Sequence, residues 1–129
     1  MHIKDFQGWH QVKQDVDKAD HIPTFNEREI WWCRIGINIG HEIDGKSHYY
    51  NRPVLVIKKF NAHIFWGVAT TTQIKDDPHY LPIDFKERKQ CVMLSHLRLY
   101  DSKRLQGKAI GKLPHKQFDE VKNALKKLL

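Results

Sequence analysis

The segment Arg52-Pro53-Val54-Leu55-Val56-Ile57 decides the fold class of this chain. Its apolar run has the length of a strand and consists mostly of β-branched residues, which indicates a strand buried on both faces. Strand-like segments lie on either side of it, at residues 29–36 and 64–72, and Asn61-Ala62 supplies the turn to the second. We therefore predict an antiparallel sheet with this segment at its centre.

Further strand segments follow towards the C-terminus, at residues 79–85, 90–99 and 108–113. The first contains Pro82, which a sheet tolerates at its edge because proline donates no backbone hydrogen bond. Between the last two, Asp101 is placed to cap a one-turn helix formed by residues 102–105.

Two amphipathic helices flank the strands. In residues 4–20 the residues near one face are Phe6, Trp9, Val12, Val16 and Ala19, and after Pro114 they are Phe118, Val121, Leu125, Leu128 and Leu129. The chain is thus predicted to be mainly β with helices (α+β), a small SH3-like, partly open β-barrel with a C-terminal helix. Residues 1–26 form an N-terminal helical extension and residues 27–129 the domain itself.

Charge is distributed unevenly along the 129 residues, whose formal net charge is +7. Residues 86–129 hold twelve Lys or Arg against four Asp or Glu, a net charge of +8, whereas residues 1–26 have a net charge of −1 and residues 27–85 are balanced. Such a basic surplus attracts a polyanion through counterion release. A solvated helix face rich in lysine has the same composition, so charge alone leaves both interpretations open.

Composition also excludes several classes of protein. No apolar run approaches the roughly 18 residues of a membrane span, and no signal or lipidation pattern is present, so we expect a cytoplasmic protein. Cys33 and Cys91 lie in strand-like runs and are expected to be reduced core thiols. The nine histidines form neither an HExxH pair nor a compact cluster, so we expect neither a metal nor a cofactor.

Four segments, in this order, carry a resemblance to a known family: Gly40-His41-Glu42, Arg52 to Ile57, Thr70 to Ile74, and Leu97 to Leu105. Together they resemble the MazF/PemK toxins, ribonucleases of bacterial type II toxin–antitoxin systems. The resemblance covers roughly residues 27–129. It implies a homodimer that cleaves single-stranded RNA, chiefly mRNA, without metal, so that 2′-hydroxyl attack leaves 2′,3′-cyclic phosphate and 5′-hydroxyl ends. It also implies growth inhibition and an antitoxin partner, acidic where it covers the groove, in a complex that binds DNA.

The resemblance implies catalytic roles for Arg52, Thr71, His41 and Glu42. A guanidinium suits a phosphate bidentately and is a poor proton-transfer group, so we expect Arg52 to stabilise charge. Strand alternation places Thr71 on the face opposite to Thr70 and Thr72, but does not identify the groove face. A neutral imidazole at His41 is suited to accept the 2′-hydroxyl proton, and Glu42 to orient it; an ordinary loop histidine and a solvated glutamate remain open.

The expected RNA-binding residues are Thr72, Gln73, His96, Arg98, Lys103 and Arg104. His96 is expected on a strand, stacking on a base or sharing proton transfer, whereas Arg98, Lys103 and Arg104 are expected to hold phosphates. A plain strand histidine remains an alternative for His96, as does an ion pair with Asp101 for Arg104.

The chain also departs from the family pattern. Ile43 stands where glutamine is usual, an insert covers residues 46–51, and Met93 and Ser95 replace the arginine and aspartate that a subgroup uses as catalytic groups. Two other functions therefore stay open. One is a protein-binding poison, since gyrase-poisoning CcdB toxins share this fold, and the other is a catalytically inactive RNA-binding domain.

Overall fold

The computed structural model describes residues 3–46 and 50–129. Within them, seven strands and two α-helices follow the order α1 (Phe6–Asp17), β1 (Glu29–Arg34), β2 (Asn51–Lys59), β3 (Ile64–Thr71), β4 (Tyr80–Phe85), β5 (Arg88–Met93), β6 (Arg98–Asp101), β7 (Gly111–Lys112) and α2 (His115–Leu128). The strands pair antiparallel in the order β4-β5-β3-β2-β1-β7, and β6 also pairs with β3. The predicted α+β class, a curled, partly open barrel sheet with two helices, is confirmed.

Strand β2 is buried on both faces, as its uninterrupted apolar run predicts. Val54 and Val56 belong to an apolar cluster inside the curled sheet, called here the inner core, with Phe65 and Tyr100. The alternate residues, Leu55 and Ile57 among them, belong to a second cluster under α2, called here the helix-side core. Alternation along β2 therefore shows which face of the sheet borders the inner core and which face borders the helix-side core.

The region predicted as one strand, residues 90–99, is instead β5, a one-turn 3₁₀ helix at Leu94–His96, and β6. Both strands pair with β3, Val92 opposite Thr70 and Arg98 opposite Gly67. The three positions from Thr70 to Gly67 on β3 thus correspond to the six positions from Val92 to Arg98. The 3₁₀ turn between β5 and β6 accommodates the three extra residues. The prediction that His96 lies on a strand is therefore wrong, because His96 ends this turn.

The helix predictions hold for the central residues and fail at the ends. Trp9 and Val16 of α1 are buried, as are Phe118, Val121 and Leu125 of α2. Phe6, Leu128 and Leu129 are expected on the buried faces but are exposed, because they stand at or beyond the ends of the two helices. The closing strand is also shorter than predicted, since β7 has only two residues, whereas Asp101 caps its 3₁₀ turn as predicted.

Helix α1 packs against both ends of the loop between β1 and β2. The Trp9 ring lies against Gly36, where an added Cβ would meet the ring at 2.1 Å and where φ is +84°. At the other end of the loop, the Tyr50 hydroxyl donates to the Asp5 carboxylate over 2.7 Å. The extension is therefore joined to the loop that precedes Arg52.

Candidate functional site

Arg52 and Thr71 lie on the same face of the sheet. Arg52 is opposite Cys33 of β1, and Val54 is opposite Ala69 of β3. Continuing that register by two residues brings Thr71 opposite Arg52, and Thr71 in turn pairs with Cys91 of β5. Alternation therefore directs Arg52 and Thr71 towards the inner-core side, at the end of the sheet.

The three consecutive threonines have different environments. Thr70 is buried on the helix-side face, where its hydroxyl donates to the Pro53 carbonyl over 3.2 Å. Thr71 is 7% exposed and accepts from the Gln73 backbone N–H over 3.2 Å, whereas Thr72 and Gln73 are exposed. Thr71 and Thr72 are therefore not equivalent positions, in agreement with the alternation argument.

The Arg52 guanidinium is oriented by the loop that covers the end of the sheet. Its Nε donates to the Asp44 carbonyl over 2.7 Å, and among the described residues its two terminal nitrogens make no hydrogen bond. Burial lowers the pKa of Arg52, while electrostatic interactions with Tyr80 and with the Asp44 carboxylate raise it. The group stays cationic, and its terminal N–H groups are available to an anion.

His96 lies close enough to Arg52 for the two groups to interact electrostatically. The pKa of His96 is lowered, first by burial and then by the Arg52 charge. A lowered pKa keeps the imidazole neutral near pH 7, which is the form that accepts a proton. The 3₁₀ turn that sequence reasoning missed is what places His96 at this end of the sheet.

Two more arginines, Arg98 and Arg104, lie near Cys33 in the inner core, and Arg104 also donates from Nη1 to the Arg34 carbonyl over 3.0 Å and lies over the Trp9 ring of α1. Both interact electrostatically with Cys33, which is the cross-strand neighbour of Arg52. The Arg98 guanidinium lies 4.8 Å from the centroid of the Tyr100 ring. Burial raises the pKa of Cys33 to about 12, so this thiol stays protonated and is a poor nucleophile. Cys33 and Cys91 are free, as predicted.

The guanidinium groups of Arg52, Arg98 and Arg104 are partly buried, and the described residues form no ion pair between them and a carboxylate. The pKa of Arg104 is lowered by burial first and by the Arg98 charge as well. Asp101, the alternative partner of Arg104, instead accepts from the Lys103 backbone N–H. Partly buried cations that form no ion pair with a carboxylate are suited to bind an anion.

The remaining predicted residues lie elsewhere. His41 and Glu42 are exposed in the loop, where the Glu42 carboxylate accepts from the Ile39 backbone N–H over 2.9 Å. Lys103 donates to the Asp17 carbonyl at the end of α1 over 2.9 Å, so its ammonium is directed to the extension. Residues 47–49 of the predicted insert lie outside the described residues.

Sequence reasoning missed the residues that hold the loop. Lys4 Nζ lies 3.3 Å from the Asp44 carboxylate and donates to the Asn38 carbonyl over 2.6 Å and the Gly40 carbonyl over 3.1 Å. The Asp44 carboxylate also accepts from the Asn38 backbone N–H over 2.7 Å. No motif marks the Lys4 contacts, because they join residues 34 to 40 positions apart in sequence.

The substitution Lys4→Met is expected to lower the free energy of unfolding by about 1 kcal/mol, since it removes one ion pair and two hydrogen bonds at a mostly buried position. Chemical denaturation measures this change. Lys13→Met is the matched control, because Lys13 is an exposed lysine of the same extension. Equal stability of the two variants would contradict the prediction.

The described residues hold neither a metal-ligand cluster nor a helix suited to span a membrane. Among residues 3–46 and 50–129, no group of three or more His, Cys, Asp or Glu side chains is arranged to hold a metal ion. In the same residues, neither helix has both the length and the apolar character that a membrane span requires.

Comparison with known proteins identifies similar sequences and folds. A family model described as a PemK-like, MazF-like toxin of type II toxin–antitoxin systems matches residues 26–129. A search of curated proteins finds no match.

Several solved structures share the fold. MazF from Deinococcus radiodurans has a TM-score of 0.65 at 22% identity, over 84% of this chain and 97% of that chain. An endoribonuclease in complex with its cognate antitoxin, from a mycobacterial species, has a TM-score of 0.62 at 14% identity, over 81% and 93%. The Mycobacterium tuberculosis toxin MazF-mt6 has a TM-score of 0.58 at 17% identity, over 78% and 94%. At these identities, the likeness establishes a common fold.

Proposed function

Since this chain belongs to the family of PemK-like, MazF-like toxins of type II toxin–antitoxin systems, we propose that it is a metal-independent endoribonuclease that cleaves single-stranded RNA, chiefly mRNA. One observation carries this proposal. The partly buried guanidinium groups of Arg52, Arg98 and Arg104 lie near Cys33 and form no ion pair with a carboxylate of the described residues, and His96 lies beside Arg52 with a lowered pKa. Such a site offers both phosphate binding and a proton acceptor.

In the proposed reaction, the terminal N–H groups of Arg52 bind the scissile phosphate. Neutral His96 accepts the proton of the adjacent 2′-hydroxyl, whose oxygen attacks phosphorus. The bond from phosphorus to the 5′ oxygen breaks, the leaving oxygen takes a proton from solvent, and a 2′,3′-cyclic phosphate remains. Arg52 and the Thr71 hydroxyl stabilise the charge that develops on the phosphoryl oxygens.

Roles at the periphery follow from position and charge. Arg98 and Arg104 are proposed to hold neighbouring phosphates, and Thr72 and Gln73 to contact RNA from the exposed end of β3. His41 and Glu42 are proposed to contact RNA from the loop, with His41 as the competing candidate for the proton acceptor. Lys103 is proposed to act only after its contact with Asp17 opens.

The proposed partners complete the system. The partner protein is an antitoxin with an acidic segment that covers the arginine-lined surface, because opposite charges favour and orient such a contact. The active form is proposed to be a homodimer that works in the cytoplasm, where its mRNA substrate is found. Residues 27–129 are proposed as the toxin domain and residues 1–26 as its extension.

The test is incubation of the purified chain with a long single-stranded RNA in EDTA, followed by end-group analysis of the fragments. We expect discrete fragments with 2′,3′-cyclic phosphate and 5′-hydroxyl ends. Intact RNA over many sequences, with protein that is folded and free of antitoxin, would contradict the proposal. That result would favour a protein-binding poison on the same fold.

A further inference from the structure

A cavity of about 360 Å³ lies where β2 begins and β3 ends, beside the start of β5. Arg52 and Thr71 contribute to its lining, so it adjoins the proposed cleavage site. Most of its other residues have no part in the proposed reaction. They include Trp32, Arg88 and Gln90, and we refer to the whole as the Trp32 cavity.

The Trp32 cavity reaches across the end of the sheet, because Arg52 and Thr71 line it from the inner-core side whereas Trp32 and Gln90 line it from the opposite face. Trp32 is opposite Pro53 in the β1–β2 register, one residue away from the pair formed by Cys33 and Arg52. Gln90 lies on the same face of β5 as Val92, which belongs to the helix-side core. A strand of RNA that passes the end of the sheet can therefore contact the Arg52 side and the Trp32 cavity with successive nucleotides.

The chemistry of the lining separates this cavity from the others. It contains the three basic residues Lys46, Arg52 and Arg88, and among its described lining residues there is no carboxylate. Three other cavities of similar size each include at least one acidic residue: Asp17 and Asp101, Asp15, and Glu27. A basic lining without acids favours an anionic ligand.

We propose that the Trp32 cavity binds one nucleotide of the RNA next to the scissile phosphate. The indole of Trp32 is 44% exposed and offers a flat apolar surface for base stacking. The Gln90 amide and the Thr72 hydroxyl supply hydrogen-bond groups for a base edge, and Arg88 supplies a cation for its phosphate. The cavity would thereby set a base preference beside the cut. This inference rests on the proposed ribonuclease function.

The test compares Trp32→Ala with Trp66→Ala. Trp66 is the matched control because it is 45% exposed, also lies on a strand, and does not line the cavity. The probes are four fluorescently labelled 2′-O-methyl octanucleotides, one for each base, which lack the hydroxyl needed for cleavage. Anisotropy gives their dissociation constants, and fragment mapping of a long unmodified RNA gives the cleavage positions.

We expect Trp32→Ala to weaken binding of the preferred octanucleotide at least about fivefold, as the loss of one stacked base predicts. Trp66→Ala should stay within about twofold. Trp32→Phe should restore most of the binding, and Trp32→Ala should relax the base preference at one position beside the cut. Arg88→Gln should reduce the slope of the logarithm of the binding constant against the logarithm of salt concentration by about one, as the loss of one phosphate contact predicts.

Three outcomes would overturn the proposal. If wild-type protein cuts RNA and both tryptophan variants bind and cut as it does, the nucleotide site is wrong and the ribonuclease function stands. If wild-type protein neither binds the octanucleotides nor cuts RNA, the proposed function fails and the nucleotide site with it. If Trp32→Ala changes only the oligomeric state, the cavity is a contact between protein chains.

Discussion

The substitution Arg52→Ala is expected to lower the rate of RNA cleavage about 100-fold to 1000-fold, which is the usual cost of removing one group that stabilises charge in the transition state. In the structure, Arg52 is the partly buried cation whose terminal N–H groups are available beside Thr71 and His96. Its side chain is fixed by the bond from Nε to the Asp44 carbonyl. The measurement is the single-turnover rate on a fixed RNA, with fragments resolved by size.

Controls separate this effect from a general loss of structure. Arg52→Lys keeps the positive charge but loses the bidentate geometry, so it should recover only a small part of the rate. Arg28→Ala is a matched control, since Arg28 is also partly buried but contacts His115 and the Leu113 carbonyl at α2. A folded Arg52→Ala protein with full activity would exclude the proposed mechanism.

Much of the fold could be predicted because its signals are local in sequence. The apolar run at residues 54–57 indicates a strand buried on both faces, and in the structure its alternate residues enter the inner core and the helix-side core. The relation of Arg52 to Thr71 also follows from alternation and register, once the hairpin of β2 and β3 is known. These inferences need only the period of a strand.

Other features depend on contacts between distant residues, and no local pattern reveals them. Both β5 and β6 pair with β3, and the chain between them has three residues more than a continuous strand would need. The position of His96 in these residues could therefore not be predicted from a strand-like sequence. The contact of Lys4 with Asp44 joins the extension to the loop across forty residues. The direction of Lys103 towards α1 likewise depends on where the extension packs.

The substitution His96→Gln is expected to lower cleavage by about 100-fold or more at neutral pH, because it removes the proposed proton acceptor. The pH profile provides the specific test. Cleavage requires neutral His96, so the wild-type rate should rise with pH through the pKa of His96 and then level off. Burial and the Arg52 charge both lower that pKa, so the midpoint should lie below the ordinary histidine value of 6.5. His96→Gln should lose this acid limb.

His41→Gln is the matched control, since His41 is the other histidine proposed near the RNA but is exposed in the loop. If His96 accepts the proton, His41→Gln keeps the acid limb with the wild-type midpoint. Loss of the limb in His41→Gln, with retention in His96→Gln, would transfer the role to His41. A second measurement needs no activity: in Arg52→Gln the NMR titration of His96 should shift to higher pH, because one of the two causes that lower its pKa is removed. An unchanged titration would show that Arg52 and His96 do not interact, and would separate the proton acceptor from the phosphate site.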